Sequence, residues 1–146
     1  MTVFSRLLDL STSLSRKSAF LFGARGTGKT TLVGEQLPGT RVYDLLEERT
    51  YLRLLQDSAL LDQENPEPGK LIVIDEIQKL PKLLDEVQRL IVKKKHRFLL
   101  TGSSARKLKH QGANLLGGRA QELHLFPLCS KEIPGFKLDR LLNLQP

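Results

Sequence analysis

A short glycine-rich segment near the N-terminus has the residue types and spacing that bind phosphate groups. It matches the pattern G-x-x-x-x-G-K-[ST] at every fixed position, and we call it the phosphate loop: Gly23, Ala24, Arg25, Gly26, Thr27, Gly28, Lys29 and Thr30. Glycines let backbone N–H groups turn toward phosphate oxygens, and a helix that begins near Lys29 directs its positive end at the same anion. We expect Lys29 to reach the β- and γ-phosphates of a nucleotide and the Thr30 hydroxyl to hold Mg²⁺, with Thr31 also in the nucleotide site. The alternative is a glycine-rich turn that holds no ligand.

Two acidic residues follow an apolar segment later in the chain. Residues 71–74 read Leu-Ile-Val-Ile and are followed by Asp75 and Glu76. Ligands bind at the carboxyl ends of strands in open α/β sheets, which is where this pair would lie. Asp75 is expected to bind Mg²⁺ through water, and Glu76 to polarise an attacking water as general base. The alternative is a solvated acid pair at the end of a strand.

The segment of residues 98–104 begins with apolar residues and ends with small hydroxyl residues. A polar side chain there would lie between Glu76 and the γ-phosphate of a nucleotide, where it would orient water. Thr101 and Ser103 are the two candidates for this sensor position, and the sequence does not separate them. The alternative is that these hydroxyls cap a turn or helix that begins at Ala105.

Two arginines are candidates for contact with the γ-phosphate. Arg119 follows two glycines just before a fifth apolar segment, and Arg106 lies earlier in the chain. An arginine supplied by a neighbouring subunit can neutralise charge in the transition state, and the adjacent glycines would let Arg119 move. The alternative for both is a solvated or ion-paired surface arginine.

A dense basic run, Lys-Lys-Lys-His-Arg, covers residues 93–97. Cations favour the negative end of a helix dipole, so the run is expected to end a helix; contact with nucleic acid is the alternative. The histidines lack the spacing of metal ligands, and we interpret His96, His110 and His124 as structural or surface residues. Cys129 is expected to be a small, partly buried residue without a catalytic partner.

The composition is that of one globular domain. The chain has 146 residues, 27% charged and 40% hydrophobic, which is enough to bury a core without a disulfide or structural metal. A single cysteine excludes an internal disulfide and favours the reducing cytoplasm. The net charge of +7 is uneven, because residues 1–76 carry 9 basic and 11 acidic side chains and residues 77–146 carry 14 and 5. The basic half suggests an anionic partner without identifying it. No run of about 18 apolar residues occurs, so we expect no membrane span, and the N-terminus lacks the pattern of a signal peptide.

Short apolar segments alternate with helix-like segments along the chain. The apolar segments predict strands buried on both faces, at residues 19–22, 41–45, 71–74, 98–101 and 122–126. Apolar periodicity and position predict helices at residues 29–36, 47–61 and 82–95, and a short amphipathic helix within the first 15 residues. The alternation predicts right-handed β-α-β units and a parallel sheet, that is, an α/β fold. Residues 62–69 are expected to form a polar loop, and residues 102–119 a loop or broken helix.

The order of four motifs after the phosphate loop resembles one known family. The motifs are D-E-I-Q-K-L-P at residues 75–81, L-T-G-S-S-A-R at 100–106, L-L-G-G-R-A at 115–120 and H-L-F-P-L at 124–128. Over roughly residues 15–135 the chain is similar to the prokaryotic AAA-type ATPases whose ATPase domain is usually followed by a C-terminal domain of unknown function. The resemblance implies a three-layer α/β/α P-loop NTPase fold with a five-stranded parallel sheet in the order 5-1-4-3-2.

The resemblance also implies domain boundaries and chemistry. Residues 1–15 would form an N-terminal helical segment, residues 16–135 the AAA-type core, and residues 136–146 a tail or the start of an incomplete C-terminal region. The helical lid of the relatives would be absent. ATP and Mg²⁺ are the implied cofactors, with Asp75 and Glu76 as the Walker B pair. The implied activity is hydrolysis of Mg-ATP to ADP and phosphate to drive a conformational change.

A second hypothesis is a nucleotide-dependent switch or binding module with little turnover, with or without a nucleic-acid partner. A kinase would need an acceptor site, and no second constellation for one is visible. ATP is favoured over GTP by the resemblance and by the lack of a guanine-reading Asn/Thr-Lys-x-Asp run. The expected partners are ATP and ADP, with a second copy of the chain or a completing partner chain left open.

Overall fold

The computed structural model describes residues 8–24, 27–110 and 115–126. The predictions for residues 1–7, for Arg25 and Gly26, and for the segment after residue 126, including Cys129, lie outside these ranges. None of the helices within the ranges has the length and apolarity of a membrane span.

Five parallel strands form one sheet within the described residues. They are β1 (Ser18–Phe22), β2 (Arg41–Asp44), β3 (Leu71–Asp75), β4 (Arg97–Gly102) and β5 (Ala120–His124). Their order is β2-β3-β4-β1-β5, which is the predicted order 5-1-4-3-2 counted from the other edge. The strand order and the α/β class are therefore confirmed.

Helices connect and cover the strands. They are α1 (Leu10–Leu14), α2 (Lys29–Gln36), α3 (Glu48–Gln56), α4 (Leu60–Gln63), α5 (Leu83–Lys94) and α6 (Ala105–His110), with 3₁₀ turns at Ile77–Lys79 and Leu116–Gly118. Helix α1 falls within the predicted N-terminal helix. Helix α6 and the second 3₁₀ turn occupy the predicted loop or broken helix of residues 102–119.

Two apolar clusters lie on opposite faces of the sheet. Phe20 and Phe22 belong to the cluster that contacts α3 to α6, whereas Ala19 and Leu21 belong to the cluster that contains residues of α1 and α2. Because side chains alternate along a strand, this division shows that both faces of β1 are covered. The strands β2 and β5 lie at the edges and are less buried than predicted; Val42, for example, is 47% exposed.

The predicted helix at residues 47–61 is divided in two. Asp57 has an extended backbone (φ −149°, ψ 97°) and ends α3, and its Oδ1 accepts a hydrogen bond from the N–H of Ala59 (3.0 Å). Aspartate side chains form such local bonds in competition with helical ones. The apolar periodicity therefore continues past Asp57 although the helix itself is interrupted there by one side-chain hydrogen bond.

Helix α5 has charged residues that match its dipole. Asp85 and Glu86 lie in its first turn and Lys93 and Lys94 in its last, and Lys95 ends it with a left-handed backbone (φ 59°). The neighbouring His96 is only 1% exposed. Its Nδ1 accepts a hydrogen bond from the N–H of Lys70 (3.0 Å), and its Nε2 lies 3.2 Å from the carbonyl oxygen of Asn65.

The His96 ring must be neutral to make both of these hydrogen bonds. A carbonyl only accepts, so Nε2 carries the proton and Nδ1 carries none. Burial lowers the pKa of His96, and the charge of Lys94 acts in the same direction, while the Asn65 carbonyl and Asp62 act against them. Protonation of Nδ1 would break the bond from Lys70.

We expect the free energy of unfolding to fall when the pH is lowered below about 6.5, the ordinary pKa of an unfolded histidine. The folded pKa of His96 is the lower one, so its contribution is present above that pH and is lost as the pH falls through the folded value. The loss should be on the order of 1 kcal/mol, the size of one buried hydrogen bond. Urea denaturation across this pH range would measure it in the wild-type chain and in His96→Gln, with the exposed His110→Gln as control. Equal pH dependence in all three proteins would contradict the prediction.

Candidate functional site

The phosphate loop begins where β1 ends, between the ends of two neighbouring strands. The N–H of Gly23 donates to the carbonyl oxygen of Gly102 (3.1 Å), and the N–H of Leu125 donates to that of Phe22 (2.7 Å). A Cβ on Gly23 would lie 2.6 Å from the Leu125 carbonyl oxygen and 2.9 Å from Thr27 Oγ1. Glycine is therefore required here by close approach of the backbone.

The loop turns directly into helix α2. Gly28 precedes the helix with φ 93°, a conformation that favours glycine, and α2 begins at Lys29. The Thr27 side chain donates to the Ala24 carbonyl oxygen (2.8 Å), which links the end of the segment after β1 to the residue before Gly28. The first-turn N–H groups of a helix have no helical partner and suit an anion.

Lys29 is buried, with 6% of its surface exposed. Its Nζ donates to the carbonyl oxygen of Gly23 and lies 3.5 Å from that of Ala24. Neutral carbonyls accept two of the three ammonium hydrogens without balancing the charge, and the charge also interacts with the Asp75 carboxylate. A phosphate at this position would accept charge-assisted hydrogen bonds, which are stronger than those to carbonyls.

Thr30 and Asp75 line one cavity of about 240 Å³ between α2 and the strands β2 and β3. Burial raises the pKa of Asp75, against the lowering effect of its hydrogen bond from Thr101; the charges of Glu76 and Asp44 raise it further, and the charge of Lys29 lowers it. A cation at this carboxylate would offset the repulsion.

The donor set at this cavity fits Mg²⁺. A hydroxyl and a carboxylate are hard oxygen ligands, and Mg²⁺ in nucleotide sites commonly takes one or two protein ligands together with phosphates and water. Within the described ranges no three His, Cys, Asp or Glu side chains form a metal-binding group. Thr30 and Asp75 are the side chains that would hold a magnesium ion here, in a cavity otherwise lined largely by apolar residues.

Glu76 follows Asp75 in an unusual conformation. It has φ 63° and ψ 52°, which is uncommon for a residue other than glycine and is found often at functional sites. It is 9% exposed, its N–H donates to Thr101 Oγ1 (3.0 Å), and its carboxylate accepts a hydrogen bond from Gln78.

The two hydroxyl candidates at the end of β4 lie in different surroundings, Thr101 within the strand and Ser103 just after it. The Thr101 hydroxyl donates to Asp75 and accepts from the N–H of Glu76, so it contacts both acidic residues. Ser103 instead lines a cavity of about 470 Å³ with residues of the phosphate loop. The hydroxyl that meets the first turn of α6 is that of Ser104, which accepts from the N–H of Lys107 (3.4 Å).

The two candidate arginines lie in different places. Arg106 lines the same cavity as Ser103, next to the phosphate loop. Arg119 is exposed and immediately precedes Ala120, which pairs with Ser18 at the start of β1. The phosphate loop follows the other end of β1, roughly 13 Å away along the strand. Arg119 therefore lies at the end of the sheet where β1 begins, whereas the phosphate loop of its own chain lies at the end where β1 finishes.

Most of the basic run at residues 93–97 is used inside the chain. Lys94 Nζ lies 2.8 Å from an Asp62 carboxylate oxygen, Arg97 donates to the Leu14 carbonyl oxygen (2.7 Å), and His96 is buried. These contacts favour the structural interpretation of the run. His124 is half exposed, and its ring packs against Phe22 and Phe126.

The sequence predicts no role for Gln78, one residue of the D-E-I-Q-K-L-P motif, whereas in the structure its side chain contacts Glu76. A polar residue two positions after the acidic pair was the available signal, but its meaning depends on the 3₁₀ turn that brings it back to Glu76.

A phosphate loop after the interior strand β1, with an acidic pair at the end of β3, defines a nucleotide-binding protein of the AAA type. Residues 15–134 match the model of a family described as AAA domain, and the chain belongs to this family. No curated protein matches the chain by sequence.

Two solved structures similar to the chain are described as ORC and ORC1 proteins. One is the Drosophila ORC bound to DNA, with 20% identity and a TM-score of 0.48 over 79% of this chain and 39% of that one. The other is the Aeropyrum pernix ORC1 protein in complex with DNA, with 16% identity and a TM-score of 0.46 over 95% of this chain and 51% of that one. The chain thus spans about half or less of the length of these proteins.

Proposed function

We propose that the chain binds ATP with Mg²⁺ and hydrolyses it to ADP and phosphate, and that this drives a conformational change. The observation that carries the proposal is the contact of Thr101 with both Asp75 and Glu76. These residues lie at the carboxyl ends of the strands, as the phosphate loop does. The carboxyl end of the sheet thus combines groups that suit a phosphate, a divalent cation and an attacking water.

The proposed roles follow from the chemistry of each group. Lys29 would exchange the loop carbonyls for the β- and γ-phosphate oxygens, and the N–H groups at the start of α2 would hold the same anion. Thr30 and Asp75 would hold Mg²⁺, which supplies charge neutralisation at the phosphates. Glu76 would accept a proton from water as the water attacks the γ-phosphorus. Thr101, through its contacts with both acidic residues, would hold them in position relative to each other.

Several finer points belong to the proposal. ATP over GTP rests on the family resemblance, as do the boundaries of an N-terminal segment (1–15), a core (16–135) and a tail (136–146). The cytoplasmic location rests on the single cysteine. Association with a second copy or a completing chain is also proposed; Arg119, which is far from the phosphate loop of its own chain, would contact a γ-phosphate only in such an assembly. A switch with little turnover is the competing function.

The first experiment is a calorimetric titration of Mg-ATP into the wild-type chain and Lys29→Ala. We expect the variant to bind at least about 10-fold more weakly, because it loses the cation that meets the phosphates. The control is Lys93→Ala, which removes an exposed lysine of α5 and should bind as the wild type does. Circular dichroism would establish that all three proteins are folded.

Two results would contradict ATP binding at this site. One is a folded wild-type chain that does not bind Mg-ATP. The other is equal affinity in the wild type and Lys29→Ala. Competition with GTP in the same titration tests the choice of base.

A further inference from the structure

Gln78 lies between the acidic pair and the end of β4. It belongs to the 3₁₀ turn Ile77–Lys79, which is anchored by the fully buried Ile77. This turn brings the Gln78 side chain back to Glu76, where its Nε2 donates to Oε2 of the carboxylate. One oxygen of Glu76 is therefore engaged by a neighbour on the same turn.

The orientation of the Gln78 amide is fixed by the carboxylate of Glu76. An ionised carboxylate only accepts hydrogen bonds, so Nε2 must face Glu76 and Oε1 must face away. Oε1 lies toward Gly102, where a Cβ would approach it to 3.0 Å. Among the described residues Oε1 is buried and has no hydrogen-bond partner. Leaving an acceptor in this state costs free energy, and such groups in native proteins call for an explanation.

The same point of β4 is tied to the phosphate loop. The Gly102 carbonyl oxygen accepts from the N–H of Gly23, and Gly102 follows Thr101, which contacts both acids. The Gln78 amide thus fills the space between Glu76 and the strand end that adjoins the phosphate loop. Glycine at position 102 leaves room for this amide.

We propose that Gln78 is a positioning residue for Glu76, a role that rests on the proposed hydrolysis. By holding Oε2, the amide fixes the carboxylate and leaves Oε1 of Glu76 to take the proton from the attacking water. Its own effect on rate is exerted through Glu76, and it makes no contribution to nucleotide affinity.

The central test is Gln78→Met, which keeps the length of the side chain and removes the hydrogen bond. We expect kcat to fall about 10-fold, as for loss of orientation of a catalytic group, with KM and the affinity for Mg-ATP within about 2-fold of the wild type. Gln63→Met, on the exposed side of α4, is the matched control and should leave both parameters unchanged. A purely structural role for Gln78 would instead lower the melting temperature and change affinity together with kcat.

Two double variants separate positioning from structure. In a Glu76→Gln background, Gln78→Met should not reduce the residual rate further, because the group it positions is gone. Gly102→Ala should lower kcat by displacing the amide by a few tenths of an ångström, and should have no such effect in a Gln78→Ala background, where the amide is absent. Additive losses in either pair would overturn the proposal.

The outcomes also distinguish this proposal from the function on which it rests. If Glu76→Gln abolishes hydrolysis while Gln78→Met hydrolyses ATP at the wild-type rate, the positioning role is wrong and the proposed function stands. If the wild-type chain binds Mg-ATP and does not hydrolyse it, the proposed hydrolysis fails and the positioning role fails with it.

Discussion

Replacing Glu76 by glutamine is expected to leave Mg-ATP bound and to slow its hydrolysis by about 100-fold or more, the usual contribution of a general base. The substitution is nearly isosteric, and the amide oxygen of the new side chain can still accept the hydrogen bond from Gln78. The backbone N–H of residue 76 can still donate to Thr101. What is lost is a group that takes a proton from water.

Phosphate release at saturating Mg-ATP measures the rate, and titration of the nucleotide measures the binding. The matched control is Glu47→Gln, which alters an exposed glutamate at the start of α3 and should hydrolyse ATP at the wild-type rate. Wild-type turnover in Glu76→Gln would show that Glu76 is not the base. Binding without turnover in the wild-type chain would favour the switch hypothesis over hydrolysis.

The sheet could be predicted because its central strands are apolar on both faces. β1 and most of β4 are buried, so their sequences show no alternation and are bounded by glycine or by charged residues. The edges were predicted less well, since β2 packs less fully and exposes Val42. The break at Asp57 was missed because it comes from one side-chain hydrogen bond and leaves the apolar periodicity intact.

The candidate site could be predicted where its residues are contiguous. The phosphate loop and the acidic pair are local patterns with their own physical meaning, and the strand order then brings them to one edge of the sheet. The choice between Thr101 and Ser103 depends on where β4 ends: Thr101 is still in the strand beside Asp75, whereas Ser103 follows it, and a sequence of small hydroxyl residues does not encode that boundary. The contact of Gln78 likewise depends on a short turn whose direction is set by the buried Ile77.

The position of Arg119 restricts how it can act. Its exposed side chain comes from a turn in which Leu116, Gly117 and Gly118 all have positive φ, at the end of the sheet where β1 begins. The phosphate loop lies at the end where β1 finishes. To contact this loop, the Arg119 side chain would have to reach along the whole length of β1. The arginine-finger hypothesis therefore applies only to the site of a neighbouring chain.

This restriction gives the second large expected effect. Arg119→Ala should slow hydrolysis by about 1000-fold if the arginine acts as a finger, with little change in Mg-ATP affinity. An equal mixture of Arg119→Ala and Glu76→Gln should recover about a quarter of the wild-type rate. Glu76→Gln keeps Arg119 but lacks the base, so random mixing pairs an intact Glu76 with an intact Arg119 across about one interface in four. Phosphate release from the separate and mixed variants measures both effects, with the exposed Arg49→Ala as control. Full activity in Arg119→Ala would identify a surface arginine, and loss of activity without recovery on mixing would contradict a role across an interface. Recovery requires that chains associate through the end of the sheet that carries Arg119, so the same measurement tests the proposed oligomer.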